Sequence, residues 1–467
     1  MPGDRVFDVD QFLDTRKLNA THVKIIALLV LTMLIDGYDI FVTGYVLPVL
    51  AKGLHVKPHA FTSVFVLQQF GLLVGTIFMG PLADRFGRKT TLLFSIACFS
   101  VCSLLTTQVH TVTQFTVIRV ISSVFFSGVI PNAIALASEM APKKMRAAAV
   151  SITFCGYTGG SFIGSFVQAF ILDPFGWQGA FWIGGLLPIA IFAVLLWQLP
   201  ESVRFRARRN PNDPRIAKVL RQLDPTVRLD GSETFLVHEP ARMQGRAPAA
   251  ALFQGRFLIL TALLWVAYAM GFLVSHLLGS WNTTVLNTVA GIPMKNLSVV
   301  IAGSALAGVV GTAVSGLFMD RFGPIRALPA FFVGNAIALA VLSLSDVHSP
   351  VMTFLFMAVG FFNAASLGGI NALAAITYPS SIRGTGVAWA AGAGRAGAMF
   401  GPMFGGFMLG HHFGITPIYL TTAVPALIAA GCLIAMSRVR APTSDLPVEE
   451  VVGQTTSASL MPDRPAA

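Results

Sequence analysis

The sequence predicts an all-α integral membrane protein, with twelve transmembrane helices arranged as two pseudo-symmetric six-helix bundles. Three observations carry that prediction. The 467 residues are 54% hydrophobic and only 11% charged, with a mean hydropathy of +0.72. A soluble chain has about 25% charged residues, so this one cannot cover its surface with polar groups and its solvent is lipid. Apolar runs near twenty residues recur to about residue 437, the length that crosses a bilayer as a helix and too long for the alternating ten-mers of a membrane β-barrel. Finally, the second half repeats the first.

Taken in order, the candidate spans lie near 25–49, 60–82, 90–108, 113–137, 147–171, 179–199, 257–280, 298–319, 327–344, 351–376, 385–409 and 415–437, numbered here helix 1 to helix 12. The expected division is an N-terminal arm over 1–22, a first bundle over 23–200, a polar and basic central loop over 201–256, a second bundle over 257–437 and a disordered tail over 438–467. The first twenty residues hold Asp4, Asp8, Asp10 and Asp14 and no apolar stretch, unlike a cleavable signal peptide. Helix 1 is then its own insertion signal. Cys98, Cys102, Cys155 and Cys432 all fall in apolar runs and imply no disulfide framework.

Orientation follows from the basic residues. With both termini in the cytoplasm, all but five of the 32 Lys and Arg fall in cytoplasmic segments. Lys52, Lys57 and Lys295 are outside, and Arg119 and Arg395 lie within spans. This bias predicts a multi-pass protein of the cytoplasmic (inner) membrane with N-in, C-in topology, and it accounts for the net charge of +11 without a nucleic-acid partner.

The repeat is explicit. Gly80-Pro-Leu-Ala-Asp-Arg-Phe-Gly-Arg-Lys89 follows helix 2 and Gly316-Leu-Phe-Met-Asp-Arg-Phe-Gly-Pro-Ile-Arg326 follows helix 8. Pro142 and Arg146 after helix 4 match Pro379 and Arg383 after helix 10, and Gly160 and Gly164 in helix 5 match Gly397 and Gly401 in helix 11. Parallel repeats of this kind build transporters whose substrate site lies between the halves near mid-membrane.

At these residues the chain resembles the major facilitator superfamily. Asp36-Gly-Tyr-Asp39, Pro131 to Glu139, Phe154-Cys-Gly-Tyr-Thr-Gly-Gly-Ser161, Tyr378 to Gly386 and Gly394-Arg-Ala-Gly-Ala-Met-Phe-Gly-Pro402 resemble its aromatic acid:proton symporters. In helix 7, Ser280-Trp-Asn-Thr-Thr-Val285 departs from that family's usual pattern. The resemblance implies that the turn after helix 2 is a gate latch. Gly80, Asp84, Arg85, Arg88 and Lys89 belong to it, with Asp320 and Arg321 a partial copy in which Pro324 replaces a basic residue. Glu139, Arg146 and Arg383 join the expected gating set.

The charges have their own reading. Among the acids only Asp36 and Asp39 lie deep inside a span, with Glu139 at the cytoplasmic end of helix 4. A charge at the bilayer centre costs about 2.5–3.5 kcal/mol on insertion scales, which makes both aspartates functional candidates. Three residues apart, they share a helical face and are expected to form a proton-coupling site. Arg119 and Asp39 lie at comparable depths, roughly 9 and 13 Å from the outer surface at helical rise, so a pair between them is geometrically possible. Arg119 and Arg395 offer planar forks suited to a carboxylate. Tyr38, Phe41, Asn132, Asn371 and Trp389 are the further substrate-binding candidates; His276, an isolated histidine near the outer end of helix 7, is a weaker candidate as a group that titrates near neutrality.

The expected function is proton-coupled import of an aromatic, hydroxybenzoate-like carboxylate by a monomer, its partners being the acid, protons and the lipid bilayer. Neither a Walker A loop nor a glycine-rich dinucleotide turn occurs, no cofactor, metal or catalytic residue is expected, and the chain does not read as an enzyme. Transport of a non-aromatic organic acid or a sugar, or sensing without flux, is the alternative.

Overall fold

A computed structural model describes residues 5–439, except residues 17, 228, 230–232, 238–251, 254, 347–348, 350 and 379–381. The expected tail therefore lies outside the described residues from residue 440 onward.

Among the described residues the twelve long helices are present. In the first half they are helix 1 (Ala20–Gly53), helix 2 (Thr62–Phe86), helix 3 (Arg88–Thr106), helix 4 in two pieces (Val112–Phe126 and Val129–Met140), helix 5 (Arg146–Phe170) and helix 6 (Leu172–Gln198). The second half has helix 7 (Gly255–Thr284), helix 8 (Met294–Phe322), helix 9 (Pro324–Leu344), helix 10 (Val351–Thr377), helix 11 (Arg383–Gly410) and helix 12 (Ile415–Arg438). Eleven are both long and apolar enough to cross a membrane. Helix 11 has the length, but its glycines and Arg395 dilute its hydropathy. Helix 7 ends in a π turn, Val285–Val289, within the stretch that begins at the atypical Ser280-Trp281.

Packing reproduces the sequence repeat. In the first half helix 1 packs on helices 5 and 6, helix 2 on helix 4, and helix 3 on helices 4 and 6. Every one of these pairs recurs six helices later. Gly160 lies against the backbone at Gly37 and Tyr38, and Gly397 against the carbonyl of Ala269, so an added Cβ would strike main chain at both places. Small residues at these positions let helix backbones close in where lipid supplies no hydrophobic drive.

Between the halves, contacts cluster towards the end remote from the basic turns, here called the outer end. Helix 1 meets helix 7 where Gly44 touches Gly279, and helix 2 meets helix 11 where Thr62 touches Gly406. The rings of Phe65 and Trp281 stand edge to face at 5.4 Å, and within the second half Trp281 Nε1 donates to Pro402 O at 2.8 Å, fixing that ring. Helix 5 packs on helix 8, from Gln168 near Met294 to Thr158 near Gly308. The outer end is sealed.

Outside the spans, the arm and the central segment carry structure of their own. β1 (Arg5–Asp8) pairs in parallel with β2 (Glu233–Leu236), two four-residue strands beside an otherwise helical chain. Short helices occupy Val9–Thr15, Val203–Arg209 and Pro214–Leu223, and Val9, Phe12 and Leu13 share a buried cluster with Val203, Ile216, Leu220 and Leu223. Ile216, Val219, Leu220 and Leu223 sit at i, i+3, i+4 and i+7, an apolar stripe on an otherwise charged ten-residue helix. Salt bridges join Arg204 to Asp10 (2.8 Å), Arg16 to Asp224 (2.6 Å) and Arg146 to Asp14.

Candidate functional site

A cavity of about 520 Å³ lies between the halves. Its lining runs from Asn282 and Val300 near the outer seal to Thr76, Ile134, Thr312 and Asn371 in the basic half, so it opens towards the basic end. The chemistry sits midway. Asp36, Phe41 and Tyr45 come from helix 1, Tyr157 from helix 5, Tyr268, Phe272 and His276 from helix 7, and Arg395 from helix 11.

The two aspartates part company here. Asp39 points into the first bundle, where Arg119 donates from Nη1 to Oδ1 and from Nη2 to Oδ2, each at 3.0 Å, and from Nη2 to the Asp39 carbonyl at 3.0 Å. Arg119 is fully buried, its guanidinium 5.6 Å from the centre of the Phe181 ring. Such a bidentate pair holds helix 4 to helix 1. Asp36 lines the cavity, and neither of its oxygens has a hydrogen-bond partner among the described residues. Arg395 faces the same space and likewise makes no hydrogen bond to a described residue. The cavity thus holds one acid and one guanidinium, each without a committed partner and on opposite halves.

Around them is an aromatic wall. Tyr268, Phe272 and His276, four residues apart on helix 7, stack in sequence, with ring centres 5.6 and 5.9 Å apart and planes within 18°. Phe41 approaches His276 at 6.0 Å and Tyr157 at 6.4 Å. Tyr268 donates its hydroxyl to Asn371 Oδ1 at 2.7 Å.

Of the sequence-derived binding candidates, Arg395, Phe41 and Asn371 line this cavity; Arg119, Tyr38, Asn132 and Trp389 do not. The Tyr38 hydroxyl donates to Ala180 O at 2.7 Å, and Asn132 Nδ2 to Gly128 O at 2.7 Å, both inside the first bundle. Trp389 is 48% exposed and stacks on Trp265 at 5.6 Å. Each of the four has satisfied its ring, amide or charge elsewhere. Tyr157 lines the cavity without having been singled out, although it lies in the Phe154–Ser161 motif.

At the basic end, the turn after helix 2 is held within the first half. Arg88 bonds Asp84 at 2.7 Å and approaches Glu139 at 3.7 Å, and Ser202 Oγ donates to Glu139. Glu201, just past helix 6, accepts from the Lys89 backbone N–H at 2.9 Å and so caps helix 3, while Lys89 Nζ reaches Leu196 O at 2.8 Å. Arg209 donates to the Arg85 carbonyl at 3.2 Å. Glu201 was not singled out from sequence; an acid directly after helix 6 is the only signal. Gly80, placed in the latch from sequence, faces open space, and Gly87, at φ +102° against Glu201, is the glycine the turn needs. In the second half Arg321 lies over Phe322 at 5.5 Å as Arg85 lies over Phe86 at 5.4 Å. Pro324 stands where Arg88 would, and Asp320 has no ion pair among the described residues. Arg146 is tied to Asp14; the Arg383 side chain lies outside the described residues.

Known proteins share this organisation. The sequence profile of the Major Facilitator Superfamily matches residues 29–298 and 264–462. This chain belongs to that superfamily. It is 33% identical over 439 residues to the gallate transporter of Pseudomonas putida, covering 94% of this chain and 97% of that one. It is 29% identical over 434 residues to the 4-hydroxybenzoate transporter PcaK of Pseudomonas aeruginosa, covering 93% and 96%. The inward-open xylose transporter XylE from E. coli shares the fold, with a TM-score of 0.69, 16% identity, and coverage of 93% and 99%. The chain is thus a multi-pass membrane transporter, not an enzyme.

Proposed function

We propose that this transporter imports an aromatic carboxylate together with protons across the cytoplasmic membrane, as a monomer with both termini and the basic end in the cytoplasm. The observation that carries the reading is the uncommitted Arg395 guanidinium in an aromatic-walled cavity opposite the uncommitted Asp36. A guanidinium fork matches a carboxylate, and the rings of Phe41, Tyr157 and Phe272 offer faces to an aromatic ring. Relatives named for gallate, 4-hydroxybenzoate and benzoate transport support the same class.

Coupling follows from electrostatics. Arg395 is the cation whose field reaches Asp36 across the cavity. A substrate carboxylate that takes the fork leaves Asp36 facing an anion, and Asp36 exchanges its negative charge for a proton. Proton and carboxylate therefore favour each other's binding, a reciprocal linkage between the two halves. With charges matched, the halves rock; the outer seal of Gly44–Gly279 and Phe65–Trp281 is the closed gate of the inward-facing state. Uptake by proteoliposomes across benzoate, hydroxybenzoates, short aliphatic acids and xylose tests this. Aromatic acids should accumulate uphill and a protonophore should abolish it. Accumulation of only aliphatic acids or xylose, or binding without flux, would overturn the assignment.

A further inference from the structure

Polar groups in the cavity divide into those with protein partners and those without. Asn363 donates to Ser275 Oγ at 3.3 Å, Asn371 accepts from Tyr268, and Asn282 accepts from Tyr419. Besides Arg395 and Asp36, the cavity atoms without a partner among the described residues include Gln69 Oε1, in the first half, and Nε2 of His276, set in the aromatic wall. His276 is 8% exposed and held between the stacked Phe272 ring and Phe41, with its Nδ1 3.0 Å from the carbonyl oxygen of Phe272. A carbonyl only accepts, so Nδ1 carries the proton and the neutral ring's Nε2 is left with a lone pair. Nε2 makes no hydrogen bond among the described residues and is open to the cavity. The site therefore presents a fork of donors on helix 11 and a fixed acceptor on helix 7. Its complement is a ligand with an anion at one end and an O–H donor elsewhere on the ring.

We propose that His276 reads the substrate's hydroxyl: Nε2 accepts a hydrogen bond from a phenolic O–H of an aromatic acid whose carboxylate is held by Arg395. This rests on the aromatic-carboxylate reading and narrows it to hydroxylated rings. An unmethylated phenol supplies the donor; its methyl ether keeps the oxygen and loses the proton. A buried acceptor left unpaired weakens binding, so the discrimination should reach roughly tenfold.

The test is equilibrium binding to the purified full chain, using 2-, 3- and 4-hydroxybenzoate, the matching methoxybenzoates and benzoate. Wild type should prefer one hydroxybenzoate over its methyl ether by about tenfold or more. His276→Phe keeps the stacked ring and removes Nε2, and the preference should collapse to within about twofold. His276→Gln, which returns an acceptor oxygen, should recover part of it, and His276→Leu, which also lacks an acceptor, replaces the Phe variant if that one melts early. Should wild type bind hydroxy and methoxy acids equally, or the variant without an acceptor retain the preference, the hydroxyl assignment is wrong while aromatic-acid binding stands. Binding of none of these acids overturns both.

Discussion

Asp39 meets Arg119 through two 3.0 Å hydrogen bonds inside the first bundle, whereas Asp36, one turn earlier on the same helix, meets no described hydrogen-bond donor and faces the cavity between the halves. Arg119 and Arg395 divide in the same way. A buried ion pair with good geometry compensates its own desolvation and becomes part of the fold. A charge left without a fixed partner depends for its compensation on what enters the cavity. Residue type and burial are alike in the two aspartates; the partner makes one a staple and the other a switch.

Breaking the staple should do the most damage. Arg119→Gln strands a buried carboxylate, at a cost of about 3–5 kcal/mol, and should sharply lower the melting temperature in detergent. Adding Asp39→Asn should restore part of it, because the double variant leaves no unpaired charge. If Arg119→Gln melts like wild type, the pair is not holding helices 1 and 4.

Asp36→Asn should act oppositely. It removes no protein hydrogen bond, so melting should stay close to wild type, yet uphill accumulation should be lost while substrate exchange across the membrane continues. Full accumulation by this variant would take the proton role away from Asp36.

Arg395→Lys keeps charge and removes the fork. Affinity for benzoate should fall roughly tenfold, and affinity for an uncharged ring amide should change much less. Equal losses for both would reduce Arg395 to a helix spacer.

The smallest effect is expected at the basic end. Asp84 is 75% exposed in its pair with Arg88, so Asp84→Asn should cost less than about 1 kcal/mol, with transport turnover reduced a few-fold and substrate affinity retained. Asp320→Asn, in the copy without a described ion pair, should leave turnover nearer wild type. A larger loss at Asp320 would reverse the ranking of the two turns.

How much of this was legible depended on what constrains each residue. Lipid demands about twenty apolar residues per crossing, so the helices could be placed from sequence, and helix 11 was found despite its arginine because the repeat marks it. The Asp39–Arg119 contact was within reach of depth arithmetic. Which aspartate stays free was not, since the answer turns on where helix 4 lies. Aromatic roles were the weakest ground: in a chain with 37 Phe, composition does not separate cavity from lipid, so Phe41 lines the site while Trp389 stacks on Trp265 at an exposed face. The small unit formed by the arm and the central segment was hidden because its apolar stripe from Ile216 to Leu223 is diluted by neighbouring arginines.

The parallel pairing of β1 with β2 sets an order on biosynthesis. Residues 5–8 emerge from the ribosome before helix 1, but their partner, 233–236, appears only after six helices have been made. The arm must wait for the first bundle; once β2 arrives, the strands and the Arg204–Asp10 and Arg146–Asp14 bridges join that half to itself through contacts that use no residue of the second half. The N-terminal half carries what it needs to close as a unit, and coexpressed fragments divided between β2 and helix 7 should reassemble into a working carrier.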